Sequence, residues 1–373
     1  MRLLIGSLGQ ASGDSPIDLG PTHPGRAGML ALQVAVSQGI VRELDVEPGA
    51  LHRGAEMLFE VRDYRQILGL ANRHDWQAPF FGELLMAVVV EESLGVEIPE
   101  RALWLRTLLA EHFRIVSHLA YLTFSRFKFL GTAETTDSLR ELLRFHISST
   151  TGNRVHPMAV RLGGMGADPT AEWLKAERDL CRKVAREAED LRELMGSRRH
   201  RAAAAGLAPI TASQVAEYGL SGPIGRASGV DQDLRRRKPS LAYARLASVF
   251  DGPRAEASGD AQARFEALAD EVLESVRLIE ACIDALPAGA VAVQMPKVVK
   301  MPEGDAYAEL EAPLGRAGVF VVSRGDKTPW RVKLRTPSFA NVSAWGAVLP
   351  GCPVDLLDVA IASLPYVAGD LDK

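Results

Sequence analysis

A chain of 373 residues, 47% hydrophobic and 24% charged, is long enough to bury a large core and too apolar to be disordered. Its 43 basic and 47 acidic side chains leave a formal net charge of −4 with the signs interspersed, which argues against a nucleic-acid-binding surface. The opening MRLLIGSLGQ is too short for a secretory signal and no stretch approaches the roughly 20 apolar residues of a membrane span, so a chain lying outside the bilayer is expected.

In chain order, GPTHPGRAGML holds His23 between two prolines in a stiff turn. Leu30, Leu32, Val34 and Val36 then alternate with Ala31, Gln33 and Ala35, and SQG turns the chain into IVRELDV, which predicts a hairpin. The stretch EPGALHRGAEMLFEVRDYRQ begins as loop and becomes helical around Glu56. Apolar residues at three- and four-residue steps predict core helices over 81–94 and 101–124. A long helix is expected from DPTAEW, with Asp168 as its cap and Pro169 in the first turn, and with Trp173, Leu180, Val184, Leu191 and Leu194 on one face until Gly196. The glycine- and proline-rich stretch that follows, through RRRKPS, reads as loop with one short helix. A second long helix runs from about Asp260 to Leu286, carrying Phe265, Leu268, Val272, Val276, Ile279 and Ile283 on one face. VFVVS, a turn at RGDK, and WRVKLRTPSF form a second hairpin, and VDLLDVAIASL a last helix. The fold class is therefore α+β, mainly α: a bundle of long helices over 81–300, flanked by a hairpin and loop region over 1–80 and a hairpin with terminal helix over 301–373.

Glycine-rich nucleotide loops, GxSxG and HExxH are absent, so no common dinucleotide, ATP, serine-hydrolase or zinc-protease site is expected. The three cysteines, Cys181, Cys282 and Cys352, are too dispersed for a local thiolate cluster, and Cys181 and Cys282 fall on apolar helix faces as packing residues. What remains is a set of histidines and arginines in turns: His23, His52 with Arg53 in LHRG, Arg73 and His74 in NRHDW, and Arg154 with His156 in GNRVHP. Any one of these reads as a side chain satisfying loop carbonyls; four such turns together shift the balance toward a functional role. His112 and His118, six apart on a helix, are out of step for a shared ligand and read as core. LRRRKPS is a short basic run suited to solvent or an acidic partner.

GPTHP, LHRGAEMLFEVRDYRQ, RHDW, VEESLGVEIPERA, EHFRIVSHL, GNRVHPMAVRLGG, LSGPIGRASGVDQDLRR and SRGDKTPWRVKLRTPSF, in that order, closely resemble the 49 kDa subunit family of respiratory complex I, itself related to nickel-iron hydrogenase large subunits. The resemblance runs from about Asp18 to Lys373 and is loosest over 124–149 and 250–315. It implies a hydrogenase-large-subunit-like fold and a subunit of NADH-quinone oxidoreductase, peripheral on the cytoplasmic face of the cell membrane and without its own cofactor. Such a subunit packs against an iron-sulfur small subunit carrying a [4Fe-4S] cluster, with other peripheral-arm subunits and a membrane subunit at the quinone entrance. The likeness to hydrogenases stops at the metal: where they carry two CxxC pairs, this chain has NRHDW and SLPYVAG, with no sulfur ligand.

Carried over by position, Arg73 of the family's RxDY motif and His156 of GxRxH stand beside the partner's cluster. There, positive charge would raise the cluster's potential and a histidine would couple it to pH. The quinone end is altered. The family's loop reads GPxHPxxHG, whose second histidine falls on Ala27; the tyrosine closing RxDY is Trp76; the aspartate supporting the quinone histidine falls around Lys128; and the final SLD has become SLP, with Pro365. His23, Ala27, His52, Arg53 and Trp76 are the candidates lining the quinone cleft. Quinone reduction takes two electrons and two protons, and Tyr and His can supply a proton where Trp and Ala cannot. The expected function is electron transfer from the cluster to quinone, coupled to proton translocation. The alternatives are a scaffold or assembly subunit with a degenerate quinone site, or a cleft that takes another electron acceptor.

Overall fold

A computed structural model describes residues 2–6, 15–16, 29–252 and 257–373. His23 and Ala27 lie outside the described residues. The chain begins with β1 (Arg2–Gly6), β2 (Ser15–Pro16), β3 (Met29–Ser37) and β4 (Ile40–Glu47), which form one sheet in the order β2-β1-β3-β4. The predicted hairpin is β3–β4, closed by a two-residue turn with positive φ at both Gln38 (53°) and Gly39 (72°), which suits the right-handed twist of the strands. The alternation holds for Leu30, Leu32 and Val34, all buried. It fails at Val36 because a register shift between Ala35 and Val36 turns that side chain outward.

Two short helices follow, α1 (Ala55–Glu60) and α2 (Tyr64–Ala71). Asp63 caps the latter with its carboxylate on the amides of Arg65 and Gln66, while Gln66 reaches back to the Asp63 amide. The central helices are α3 (Pro79–Leu94), buried on almost every face, and α4 (Glu100–Leu130), whose 31 residues are ended by Gly131 in the left-handed conformation. Then come α5 (Glu134–Thr151), a small ribbon of β5 (Val160–Arg161) and β6 (Gly164–Met165), and α6 (Ala171–Gly196). Thr170, not Asp168, caps α6, its hydroxyl accepting the Trp173 amide at 3.2 Å. Asp168 instead takes a forked contact from Arg101 at 2.8–3.0 Å.

After α7 (Arg198–Ala204), the stretch 202–240 expected to be loop with one short helix holds three more: α8 (Ala212–Tyr218), α9 (Gly222–Ala227) and α10 (Leu234–Arg237). Each is too short to show a periodic apolar face, and tertiary contacts supply what periodicity does not. The predicted Asp260–Leu286 helix is α11 (Ala261–Ala285), capped by Asp260, and it packs along α4 and α6. The second hairpin is β8 (Gly315–Ser323) with β9 (Arg331–Arg335), but β7 (Gly304–Ala312) pairs with β8 along its whole length, making a three-stranded sheet. The chain closes with α12 (Pro337–Ser343), α13 (Trp345–Val348), α14 (Leu357–Ala362) and α15 (Ala368–Leu371). The result is α+β and mainly α, as expected. Among the described residues no helix is long and apolar enough to cross a membrane.

Buried charges tie the helices together. Arg106 of α4 grips Glu91 of α3 through two bonds of 2.7 Å and also donates to the carbonyls of Arg161 and Gly164, while Glu91 accepts the Gly163 amide at 2.8 Å. The β5–β6 ribbon is thus fastened to the bundle. A Cβ at Gly164 would sit 2.1 Å from the Val291 carbonyl oxygen, so only glycine fits. His112 of α4 lies 2.8 Å from Glu177 of α6, and His146 of α5 lies 3.2 Å from the other oxygen of the same carboxylate. The two imidazoles outweigh burial and hold the Glu177 carboxyl down at about 2. Both histidines of α4, His112 and His118, are fully buried, as are Cys181 and Cys282.

Removing one partner of a buried pair leaves an unpaired charge. The Arg106→Leu variant is expected to lose about 3–5 kcal/mol in denaturant unfolding. The Glu91→Leu/Arg106→Leu double variant should lose clearly less than the two single variants summed.

Candidate functional site

Four segments distant in sequence meet at one end of the bundle. They are the loop 49–53 after β4, the loop 72–78 between α2 and α3, the loop 152–158 after α5, and the segment 363–372 around α15. The last of these organises the others. Asp372 accepts the Gly49 and Leu51 amides at 2.7 and 2.8 Å, and its carbonyl takes a bond from His52 Nδ1 at 3.2 Å. Asp370 accepts the Ser338 amide at 3.1 Å with one oxygen and faces His74 Nδ1 at 3.1 Å with the other. Ser338 in turn accepts the Val367 amide at 3.0 Å.

Arg53 donates to the Arg73 carbonyl at 3.4 Å, Arg73 donates through Nε to the Asn72 side chain at 2.9 Å, and His156 Nδ1 donates to the Asn72 carbonyl at 2.9 Å. The loop carrying His156 is shaped by Asn153, whose side-chain oxygen accepts the amides of Val155 and His156. His52, Arg53, Arg73, His74 and His156 therefore share one surface region, while the Arg154 side chain turns away to Glu141 at 3.5 Å. His52, Arg53 and Arg73 are exposed, and His74, Trp76 and His156 are half-buried.

Asp75, behind this surface, accepts the amides of Gln77 and Ala78 at 3.1 Å and so shapes the turn that leads into α3. Burial, followed by the Asp370 carboxylate, pushes its carboxyl up to about 7, with His74 opposing. Burial and then the Arg73 guanidinium lower the pKa of His156 against the pull of the Asn72 carbonyl, which favours its neutral form. Trp76 lies directly on the backbone of Gly369: a Cβ there would come within 2.2 Å of the indole Cζ3 and 2.6 Å of the His74 carbonyl oxygen. The segments NRHDW and SLPYVAG are thus neighbours in space. Lys128, at the end of α4, is taken up by Asp358 of α14 at 2.6 Å, and Pro365 is buried.

Asp370, Asp372, Asn72 and Ser338 escape a reading of the sequence. The acidic GDLDK resembles a solvated end, and a contact between residues 323 apart, such as Gly49 with Asp372, leaves no local pattern.

The Gly369→Ala variant should push the Trp76 ring off its seat and red-shift the emission. In a Trp76→Phe background the same substitution should leave the remaining tryptophan emission unchanged. The pH dependence is also specified. Since the folded-state pKa of Asp75 is raised from 3.8 to about 7, its contribution to stability is complete below about pH 4 and is lost as pH rises through 7. The Asp75→Asn variant should therefore gain in urea midpoint relative to the parent between pH 4 and 7, with little further change above.

The family profile described as the respiratory-chain NADH dehydrogenase 49 kDa subunit matches residues 134–300 and 297–373. The chain is 43% identical over 372 residues to the NADH-quinone oxidoreductase D subunit 2 of Salinispora tropica, covering 98% of this chain and 94% of that relative. It is 40% identical over 375 residues to the NADH-quinone oxidoreductase D subunit 1 of Streptomyces coelicolor, covering 99% and 97%. In three dimensions it matches a chain of the membrane-bound sulfane sulfur reductase, an archaeal respiratory membrane complex, with a TM-score of 0.89 and 28% identity over 100% of this chain and 98% of that one. The chain belongs to the 49 kDa subunit family of respiratory-chain NADH dehydrogenase, the family of the NADH-quinone oxidoreductase D subunits.

Proposed function

We propose that this chain works as the subunit of a complex I-like NADH-quinone oxidoreductase that forms, together with an iron-sulfur small subunit, the cleft in which electrons leave a [4Fe-4S] cluster for quinone, coupled to proton translocation. It binds no cofactor of its own and sits peripherally at the cytoplasmic face of the membrane, with a membrane subunit at the quinone entrance. The observation that carries this reading is the convergence of His52, Arg53, Arg73, His74, Trp76 and His156 on one surface, fastened by the 363–372 segment. Arg73 and His156 are the pair suited to the cluster. A guanidinium favours the reduced cluster, and the imidazole, kept neutral by burial and Arg73, would be drawn toward protonation as negative charge arrives. His52, Arg53 and Trp76 are the groups suited to the acceptor, with His23 and Ala27 in the preceding loop.

Two features favour a modified acceptor end. Trp76 is a donor that gives up no proton, and Lys128 is engaged by Asp358 where the family has an aspartate in support of a histidine. These fit a scaffold or assembly role with a degenerate quinone site. The near-complete match to a chain of a sulfane sulfur reductase favours a different acceptor.

The deciding experiment is acceptor reduction by the membrane-bound complex purified through this chain, with NADH as donor and quinone or polysulfide as acceptor. Quinone turnover that a quinone-site inhibitor abolishes is the expected result. Turnover with polysulfide alone would reassign the acceptor. A complex that contains the reducible iron-sulfur partner yet turns over neither acceptor would make the chain a scaffold.

A further inference from the structure

Of the three imidazoles in the described part of the site, two spend Nδ1 on main-chain carbonyls: His52 on Asp372 and His156 on Asn72. Only His74 faces a carboxylate side chain, with Nδ1 3.1 Å from Asp370 Oδ1. A carboxylate can only accept, so Nδ1 carries hydrogen, the tautomer is fixed, and Nε2 is left for another partner. The carboxylate is itself immobile, because its other oxygen holds the Ser338 amide and its residue is 1% exposed. A carboxylate that orients an imidazole and stabilises its cation is the arrangement by which proteins make histidine an effective proton donor.

Behind the pair is a cavity of about 20 Å3, bordered by His74, Asp75, Asp370 and Thr336. That is room for about one water molecule. The Thr336 residue is 3% exposed, and its hydroxyl is buried with no hydrogen-bond partner among the described residues, so this space has a polar group to offer a guest. Position 74 is the unspecified residue of RxDY, two places from the Trp76 that cannot release a proton.

We infer that the His74–Asp370 pair is the proton-delivering group of the cleft, in place of the tyrosine and histidine that the sequence lacks. This rests on the reading of the chain as the acceptor-site subunit. In the step, the acceptor, a quinone, takes electrons supplied through the iron-sulfur subunit. The Nε2–H bond of the His74 imidazolium breaks, and an O–H bond forms on the reduced quinone oxygen. The neutral imidazole is reprotonated from solvent, and the second oxygen, across the ring and out of reach of Nε2, takes its proton from water, so two electrons and two protons enter per quinol. Asp370 is the positioning residue. The other charged groups around the pair are Asp75, which interacts with both members, Arg335 of β9 at the cavity wall, and Lys373 beside Asp370.

The test uses the assembled complex with His74→Gln and Asp370→Asn, measuring kcat, KM and the pH profile of quinone reduction, alongside reduction of the partner's cluster by NADH. Glutamine can still donate to Asp370 but cannot carry a proton to the quinone. His74→Gln should lower kcat on the order of 100-fold, with KM within about twofold and cluster reduction intact. Asp370→Asn, which keeps the shape but no longer fixes the imidazole tautomer, should lower kcat about tenfold and alter the pH profile, with KM within about twofold and cluster reduction intact. It serves as the independent variant if His74→Gln fails to assemble. Unchanged kcat and pH profile in the assembled variants would overturn the pair while leaving the acceptor-site reading standing. A parent complex that reduces its cluster but no quinone would overturn that reading and this inference with it.

Discussion

The bundle is built around a largely buried web of arginines and carboxylates, one side of which lines a cavity of about 320 Å3. Arg235 binds Asp233 through two bonds, at 3.1 and 2.7 Å, and reaches Glu111 at 3.2 Å and Glu274 at 2.8 Å. Arg226 joins Glu271 and Glu311 at 2.8 and 2.7 Å, and His118 closes on Glu271 at 3.0 Å. Opposite charge holds the Asp233 and Glu271 carboxyls well below their ordinary range in spite of burial. Such a web is a poor source of net stability, since desolvation consumes most of the Coulombic gain. Its value lies in register: a charge moved by one residue along any of these helices is left unpaired, so α4, α9, α10, α11 and β7 are admitted in one arrangement only. GRASGVDQDLRR, read from the sequence as a family signature, is thus foremost the sequence of this web.

That rigidity is what the site borrows. None of its loops is long or apolar enough to define a shape alone. Each departs from an element fixed by the bundle: α2 and α3 for His74 and Trp76, α5 for His156, and β4 for His52. The loops are then joined by main-chain carbonyls and carboxylates, and by the seating of Trp76 on Gly369.

The long elements were legible because they repeat a simple physical condition many times. Residues 260–286 bury a face at every turn and leave that period in the sequence, while 81–94, buried on almost every face, stands out as a near-continuous apolar run. Single polar contacts made at a distance carry no period. The α6 cap moved from Asp168 to Thr170 because Arg101, far away in sequence, claims the aspartate. β7 was missed although polar and apolar residues do alternate along it: its apolar positions are Ala306, Ala308, Leu310 and Ala312, mostly alanines, which mark a buried face weakly in a sequence. The site was half legible for the same reason: the motif residues His52, Arg53, Arg73, Trp76 and His156 stood out by type, whereas Asp370 and Asp372, which gather the site, have meaning only once the chain has closed on itself.

The clasp of Gly49 and Leu51 by Asp372 also has a consequence in time. A bond spanning 323 residues cannot form until nearly all of the chain has left the ribosome, whereas the helix pairs of the bundle need far shorter stretches. The shape of the surface around His52 therefore depends on Asp372, at the far end of the described chain, as much as on the loop that displays it.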